Sequence, residues 1–594
     1  MIIIGINEGI NSSVVVLRDG ELIFAIQEER LNRQKEFTGF PHASLQFAFK
    51  YLALDPKEVD IVCLSNLYSP SFTREEFQAG YDQNDQSALQ RIFQGGYTGL
   101  RHELIKQSFE KFPGWLDRAP KNGNTRSNLL MKDHLERHGL SGAKLQRYSH
   151  HFNHAASAYY GLRQNPKDPH LVLTLDGGGD GDCAHVYVAQ GNQWKLIEKT
   201  RMGESVGNIY SCVTHFMGMT PHEHEYKLMG LAAYAKPGYC NDIVDIFQGY
   251  LDLDPSEPLR FKRKTPEATF SISRRLKRDF KRYRFDNLAG GLQFYTEDLM
   301  VRWVRAAIAR TGVRKVVAAG GVFMNVKANK LIAELPEIEY FDVFPSCGDE
   351  TLPFGGVWHV HAEQSPDHGD ALRLDHFYLG PDADFDLEAS RKEYGGQVNF
   401  TWLDEPEKEL ARLVAGGEIV ARCSGRMEFG ARALGNRSIL ADPADYRIVP
   451  RINKMIKQRD FWMPFAPVML YEDAADYIRI PKSLPADRIS PFMMHTFDTT
   501  RRREQFAAGV HAYDHTARAQ VVTKETNAKL HNLITQFKSL NGKSVMLNTS
   551  FNLHGYPIVC GSRDAIGVLL DSDLTHLIVN NWLVTKVPSG MLPQ

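Results

Sequence analysis

Apolar positions open the chain in short bursts. Residues 2–6 (IIIGI), 13–17 (SVVVL) and 22–26 (LIFAI) are β-rich runs parted by turns containing Asn-Glu-Gly and Arg-Asp-Gly, which predicts a β-meander. Residues 43–54 follow a helical pattern, 59–65 (VDIVCLS) read as a buried strand, and the polar, charged stretch 70–147 reads as a mostly helical insertion. The apolar pattern resumes at 171–176 with a second meander through HVYVA and WKLIE. An amphipathic helix is predicted over 292–311, then in VRKVVAAGGVFMN a buried strand, a Gly-Gly turn and a helix start. Residues 362–386, rich in Asp, His, Pro and Gly, read as a linker. Beyond it GGEIVARCSG, KSVMLNTS and HLIVNNWLV are strands of another α/β domain. Two strand-rich openings, each ending on an Asn- or Asp-Gly loop, predict a duplicated α/β domain over 1–361, followed by a second domain over 387–594. No repeat at a solenoid period and no low-complexity segment interrupts this plan.

Composition narrows the class. A chain of 594 residues is too long for one core, and 43% hydrophobic with 24% charged residues is ordinary for a soluble globular protein. Lys and Arg number 70 against 71 Asp and Glu, so there is no global electrostatic footprint for nucleic acid. Seven scattered cysteines, none in a C-x-x-C pair, read as reduced thiols in a cytoplasm. No apolar run reaches transmembrane length, and the start lacks a signal-peptide pattern.

The chemistry concentrates in a few places. In YSHHFNHAASAYYGL, His150 and His154 are four apart, so on a helix they share one face with Cβ atoms about 6 Å apart. The pattern alone fits a solvated helix start as well as a metal site. Asp176, at a strand end before three glycines, and Asp349, in VFPSCGDE, would complete a mixed nitrogen and oxygen set suited to Fe(II), Mn(II) or Zn(II). Gly177, Gly178, Gly320 and Gly321 lie in turns whose amides suit a phosphate or adenine edge, with Asn325 at the following helix start, although close backbone packing explains such glycines equally. In the C-terminal domain Arg432 and Arg437 sit among Gly, Ala, Leu and Phe in GRMEFGARALGNRS, and IKQRDFWMPFAP, DHTARAQ and LNTSFN add Lys457, Arg459, Arg518, Asn548, Ser550 and Asn552. Arginine keeps its charge when desolvated and grips phosphate with forked donors, so these read as an anion pocket.

Taken together, GIN…SS…DGEL…QEERLNRQK, HHFNHAASAYY, LDGGGD, YKLMGLAAYAKP, AGGVFMN, PSCGDE, GARALGNRSIL, IKQRDFWMPFAP and LNTSFNLHGYPIV resemble the O-carbamoyltransferases of antibiotic and nodulation-factor biosynthesis, the NodU/CmcH family. The resemblance implies an N-terminal domain of actin/hexokinase (ASKHA) type, like the metal protein of threonylcarbamoyl-tRNA synthesis, and a YrdC-like C-terminal domain, whose K-x-R and S-x-N signatures would be Lys457/Arg459 and Ser550/Asn552. It implies that carbamoyl phosphate and Mg-ATP become carbamoyladenylate in the YrdC-like domain. The carbamoyl group then passes to a small-molecule acceptor in the N-terminal one. It further implies iron at His150, His154, Asp176 and Asp349, nucleotide contacts from Lys227 of YKLMG, and acceptor-side roles for Asn11 and Lys35. A homodimer is compatible with it; nucleic acid and membrane partners are not expected. Ile10-Asn11 stands where the family has His-Asp, Glu36 where a histidine often follows the lysine, Met463 replaces an arginine and Tyr556 a glutamate. Ile10 removes a potential general base, which leaves N-transfer beside O-transfer as a prospect, with Glu36 or His42 the nearest substitutes in sequence. Competing readings are a tRNA-modifying carbamoylation enzyme and a nucleotide-binding regulatory protein without transfer activity.

Overall fold

The computed structural model describes residues 1–67, 74–83, 126–365 and 372–587 and divides the chain into two compact units. The first is Met1–Glu21 with Glu36–Arg373; the second is Leu22–Lys35 with Leu374–Gln594.

In the first unit two sheets follow one plan. Ile2–Asn7 runs antiparallel to Ser13–Arg18 on one side and parallel to Ile61–Leu64 on the other, with Ile4 opposite both Val16 and Val62. Lys144–Arg147 then pairs parallel to Ile61–Leu64. In the second sheet His170–Gly179 runs antiparallel to Asp182–Gln190, which pairs with Gln193–Arg201. On its other side come Lys315–Ala319 and Tyr340–Val343, both parallel. Central strands buried on both faces need continuous apolar runs, and Ile3, Ile4, Ile6, Leu171, Val172 and Leu173 are all fully buried. Helices His150–Leu162 and Leu352–Gln364 are buried along most of their length and meet where the Tyr160 hydroxyl and His359 Nδ1 are 3.3 Å apart. The repeated plan is the duplication predicted from the two meanders.

Three expectations change. The stretch 70–147 is helical at Arg74–Gln83 and Arg126–Arg137, but ends in the strand Lys144–Arg147, whose polar edge residues hide it from pattern reading; residues 84–125 lie outside the described part. The helix predicted over 292–311 begins earlier, at Phe285, and stops at Thr311 where Gly312 turns left-handed at φ 70°. The third run of the opening meander forms the strand Glu21–Gln27 as predicted, but the expected domain 1–361 is not continuous, because Leu22–Lys35 belongs to the second unit.

The second unit is built on an eight-stranded mixed sheet in the order Val398–Trp402, Trp582–Lys586, His576–Val579, Val420–Cys423, Arg437–Ala441, Val545–Ser550, Ala466–Leu470, Gln520–Val522. Helices Pro406–Ala415 and Ala528–Asn541 bring Leu410, Val414, Leu530, Leu533 and Phe537 into one core with Val420, Leu440 and Met546. A second core gathers Ile452, Ile456, Phe465, Ala565 and Leu569 with Ile439, Leu547 and Leu577. Leu22–Lys35 is pinned into this unit by arginines. Buried Arg30 donates to Gln27 Oε1 at 3.0 Å and to the Gly430 carbonyl at 2.7 Å. Arg33 donates to the Ile558 and Pro557 carbonyls at 2.8 and 3.0 Å. Among the described residues no helix is long and apolar enough to cross a membrane.

Candidate metal centre and candidate anion site

In the first unit His150, His154, Asp176 and Asp349 converge, with one ligand atom from each lying within 4.8 Å of all the others. The histidines enter on the first two turns of His150–Leu162, capped by Ser149, whose hydroxyl accepts from the Phe152 amide at 3.3 Å. Asp176 comes from a bulge where the register of His170–Gly179 against its neighbour shifts between Leu175 and Gly179. Asp349 opens the short turn leading into Leu352–Gln364. Gly179 makes room for the cluster, because a Cβ there would stand 2.1 Å from the His150 ring.

His150 Nε2 is 3.5 Å from both Asp176 Oδ2 and Asp349 Oδ1; His154 Nε2 is 3.0 and 3.6 Å from the same two oxygens. Burial pulls the His150 pKa down, but Asp349, together with Asp176 and Asp180, outweighs it and raises it to about 9. Burial likewise opposes ionisation of Asp176, yet the neighbouring His150 and His154 rings hold it well below the carboxylate range. The pocket therefore favours positive charge at its centre. His150 Nε2 is buried and has no hydrogen-bond partner, a donor atom left for a ligand. Two imidazoles and two carboxylates in this arrangement fit a divalent transition metal.

His151 is no part of the ring of donors. Its Nδ1 lies 3.0 Å from Thr174 Oγ1, and its ring stacks on His185 at 4.7 Å. Burial first, then the neighbouring His185, hold its pKa well below normal, so it is a neutral packing residue.

The glycine turns face the same aspartate. The Gly177 amide donates to Asp176 Oδ1, and the Gly321 amide to Asp176 Oδ2 at 3.3 Å. Gly320 takes φ 104°, and a Cβ there would meet the Leu175 carbonyl oxygen at 2.4 Å, so close packing demands glycine. Gly178 sits beside Met202. Asn325 caps Val326–Ala333 by accepting from the Ala328 amide at 3.1 Å and exchanges bonds with Gln293 at 2.9 and 3.0 Å. Lys227 lies on Glu225–Ala232 of the same unit. Asn11, left-handed at φ 53°, ends a turn closed by Asn7 Nδ2 on the Ile10 carbonyl at 2.8 Å. The two substitutes for the missing histidine are both engaged: Glu36 is 3.6 Å from Arg74, and His42 Nδ1 is 2.9 Å from His138 Nε2.

The second unit joins the other signature residues. Buried Lys457 reaches Ser550 Oγ at 3.0 Å and Asn552 Oδ1 at 2.7 Å, and Ser550 donates to the same Asn552 oxygen at 2.7 Å. Burial, then the charges of Arg459 and Lys35, push the Lys457 pKa well below the lysine range. Lys35 thus acts on this site in the second unit, where sequence reasoning had put it on the acceptor side. Arg459 lies over the Phe465 ring at 5.0 Å. Asn548 donates to the Ala433 carbonyl at 3.1 Å and Gln520 Oε1 at 2.8 Å. Arg432 and Arg518 are half-buried.

Arg437 does something different from its predicted neighbours. Fully buried, it donates through Nε to the Cys560 carbonyl at 2.8 Å, through Nη1 to Gly425 and Asn436 at 3.0 and 3.2 Å, and through Nη2 to Pro381 at 3.3 Å. Four carbonyls occupy the donors a phosphate would need, so Arg437 is a clamp on loop backbone. Buried Glu428, which sequence reasoning passed over, assists by accepting from the Leu434 and Arg437 amides at 2.6 and 3.1 Å. Its only signal was a carboxylate set in an otherwise apolar, arginine-bearing loop.

Carbamoyltransferase family models match both parts of the chain: the N-terminus model over residues 2–356 and the C-terminus model over 411–586. Nodulation protein NolNO of Sinorhizobium fredii is 29% identical over 583 residues, covering 97% of this chain and 79% of that protein. A 3'-hydroxymethylcephem-O-carbamoyltransferase of Amycolatopsis lactamdurans is 32% identical over 454 residues, covering 71% of this chain and 78% of that one. Likeness to solved structures is remote: HypF of T. kodakarensis is 12% identical with a TM-score of 0.34, over 62% of this chain and 48% of that one.

Proposed function

The chain belongs to the carbamoyltransferase family, and from that premise we propose that it is an ATP-dependent enzyme carbamoylating a small natural-product acceptor by way of carbamoyladenylate. The observation that carries the reading is the meeting of Lys457 with Ser550 and Asn552, from 93 and 95 positions away, in a buried cationic site.

The chemistry divides into three balanced steps. Carbamoyl phosphate and water give carbamate and phosphate. The carbamate oxygen attacks the α-phosphorus of Mg-ATP, releasing pyrophosphate and leaving carbamoyladenylate. An acceptor hydroxyl then attacks the carbamoyl carbon, displacing AMP and losing its proton. The middle step brings two anions together, and fixed cations lower its barrier because they are already oriented when the charge develops. Lys457, Lys35 and Arg459 are the cations that act on one another here. Arg432 and Arg518 are assigned to the phosphates; Ser550 and Asn552 hold the lysine in place.

His150, His154, Asp176 and Asp349 are the residues that would hold a divalent transition metal, with iron, manganese and zinc all suited to the donors. When bound, such an ion supplies Lewis acidity toward the phosphate or carbonyl oxygens of the adenylate. The named relative from Amycolatopsis supports a hydroxyl acceptor; Ile10, in place of a base, keeps an amine in view.

The test is pyrophosphate release from carbamoyl phosphate and Mg-ATP without acceptor. Wild-type protein should release pyrophosphate and Lys457→Ala should not. Release that does not depend on carbamoyl phosphate, or that survives Lys457→Ala, refutes the adenylate route.

A further inference from the structure

His150 is held by more than its place on a helix. Its Nδ1 lies 3.0 Å from Asn66 Oδ1, and its main-chain amide donates to Asp180 Oδ2 at 2.8 Å. An amide oxygen can only accept, so Nδ1 carries a proton, and in the neutral ring that binds a metal the lone pair is on Nε2. That Nε2 is the buried atom 3.5 Å from the carboxylates of Asp176 and Asp349.

Asn66 is itself fixed. The Arg147 guanidinium donates to its carbonyl at 2.8 Å, and the residues on either side are tied down too. Asn153, from the histidine helix, donates to the Ser65 carbonyl at 2.9 Å, and the Ser65 amide donates to the Ile6 carbonyl at 3.1 Å. The Leu67 amide donates at 3.0 Å to the same Asp180 oxygen that holds His150. Asp180, at φ 51°, belongs with Gly181, at φ 90°, to the two-residue turn between His170–Gly179 and Asp182–Gln190, so its carboxylate is set by a hairpin. Asn66, 6% exposed, is thereby locked to both the first sheet and the helix that carries the donors.

We propose that Asn66 is a positioning residue of the metal centre: its amide oxygen takes the Nδ1 proton of His150 and so fixes the tautomer and ring angle that present Nε2 to a metal. The inference rests on the metal reading of the His150, His154, Asp176 and Asp349 cluster. Outer partners of this kind typically change metal affinity by 10- to 100-fold when removed. A neutral amide is also a weaker acceptor than a carboxylate, so it leaves His150 a modest donor and favours a site that exchanges its metal over one that traps it.

The experiment is competition between full-length apoprotein and a chromophoric chelator for Zn(II) and, separately, Co(II), using wild type, Asn66→Leu, Asn66→Ala and Asn66→Asp. Asn66→Leu and Asn66→Ala should bind about 10- to 100-fold more weakly, with apoprotein melting temperatures near wild type. Asn66→Asp should bind at least as tightly as wild type, and its Co(II) absorption bands should match. Wild-type affinity in both Asn66→Leu and Asn66→Ala would overturn the inference while leaving the metal reading standing. Weakening in all three variants with a matching fall in apoprotein stability would reduce Asn66 to a structural residue. Wild-type protein that takes up neither metal would overturn the metal reading and this inference with it.

Discussion

Arg437→Ala separates a scaffold from a substrate grip. The side chain is fully buried and makes four bonds to carbonyl oxygens, at 2.8, 3.0, 3.2 and 3.3 Å. Hydrogen bonds to a charged donor contribute about 1.5–3 kcal/mol each, and the longest two fall at or below the low end. Alanine leaves the carbonyls of Cys560, Gly425, Asn436 and Pro381 without this donor, so the loss should be roughly 3–5 kcal/mol, the range for breaking a buried charged network. For a unit of this size each kcal/mol moves the midpoint by about 2–4 °C, so melting of the second unit should fall by roughly 6–20 °C. The assay is differential scanning calorimetry of ligand-free protein, followed by pyrophosphate release well below the lowered transition. Half-buried Arg432 gives the contrast: Arg432→Ala should melt near wild type and lose on the order of 100-fold in rate. If Arg437→Ala melts within a degree or two of wild type and yet abolishes release, the clamp is wrong and Arg437 touches substrate.

Four other outcomes follow, three from the two sites and one from the segment Leu22–Lys35. A lysine whose folded pKa is depressed binds fewer protons folded than unfolded, so ligand-free stability rises with pH from that depressed value to the ordinary lysine pKa of about 10.4 and is flat below it. An anionic substrate restores the pKa, so calorimetric binding of a non-hydrolysable ATP analogue across buffers above pH 8 should show proton uptake that Lys457→Met abolishes; no uptake anywhere up to pH 10 contradicts the assignment. For the raised His150 the sign reverses: the charged ring stabilises apoprotein fully below about 6.5 and that contribution is lost as pH rises through about 9, while metal affinity rises over the same interval because protons and metal compete. Elemental analysis of chelator-stripped, reloaded protein should find a transition metal in wild type and none in His150→Ala/His154→Ala; equal contents in both would remove the metal site. Residues 374–594 expressed alone should be insoluble or molten, because they lack the Arg30 and Arg33 contacts, and should be rescued by adding a peptide of residues 22–35; a cooperative, folded fragment would show that the segment is dispensable.

The four residues of the candidate metal centre were legible because each sits at a position that local pattern determines. Two histidines at i and i+4 share a helix face whatever surrounds them, and carboxylates at the C-terminal ends of parallel strands gather at one edge of a sheet. Lys457 and Ser550 were legible as members of short signatures. Arg437 was not, since nothing in GARALGNRS tells a guanidinium aimed at phosphate from one aimed at the carbonyls of Pro381 and Cys560, which are brought to it by distant chain. Asn66 follows an ordinary buried strand, and its role exists only because Arg147, His150 and Asp180 meet around it. Lys144–Arg147 was missed for a related reason: an edge strand needs hydrogen bonds from one neighbour and no apolar alternation of its own.

Leu22–Lys35 leaves the ribosome early, between two pieces of the first unit, yet its companions in the second unit begin at Leu374. At about 5–20 residues per second, synthesis of Glu36–Arg373 keeps the segment waiting roughly 20 to 70 s. During that interval the guanidinium groups of Arg30 and Arg33 lack their partners on Gly430, Pro557 and Ile558, and a segment with such late partners stays open to chaperone capture. Folding strictly in the order of synthesis is therefore closed to the second unit, whose first segment is made before most of the first unit and whose remainder only after it. The pace of translation through Glu36–Arg373 and chaperone supply then become determinants of yield, and synonymous slow codons in that region should cost soluble protein even though they change no residue of it.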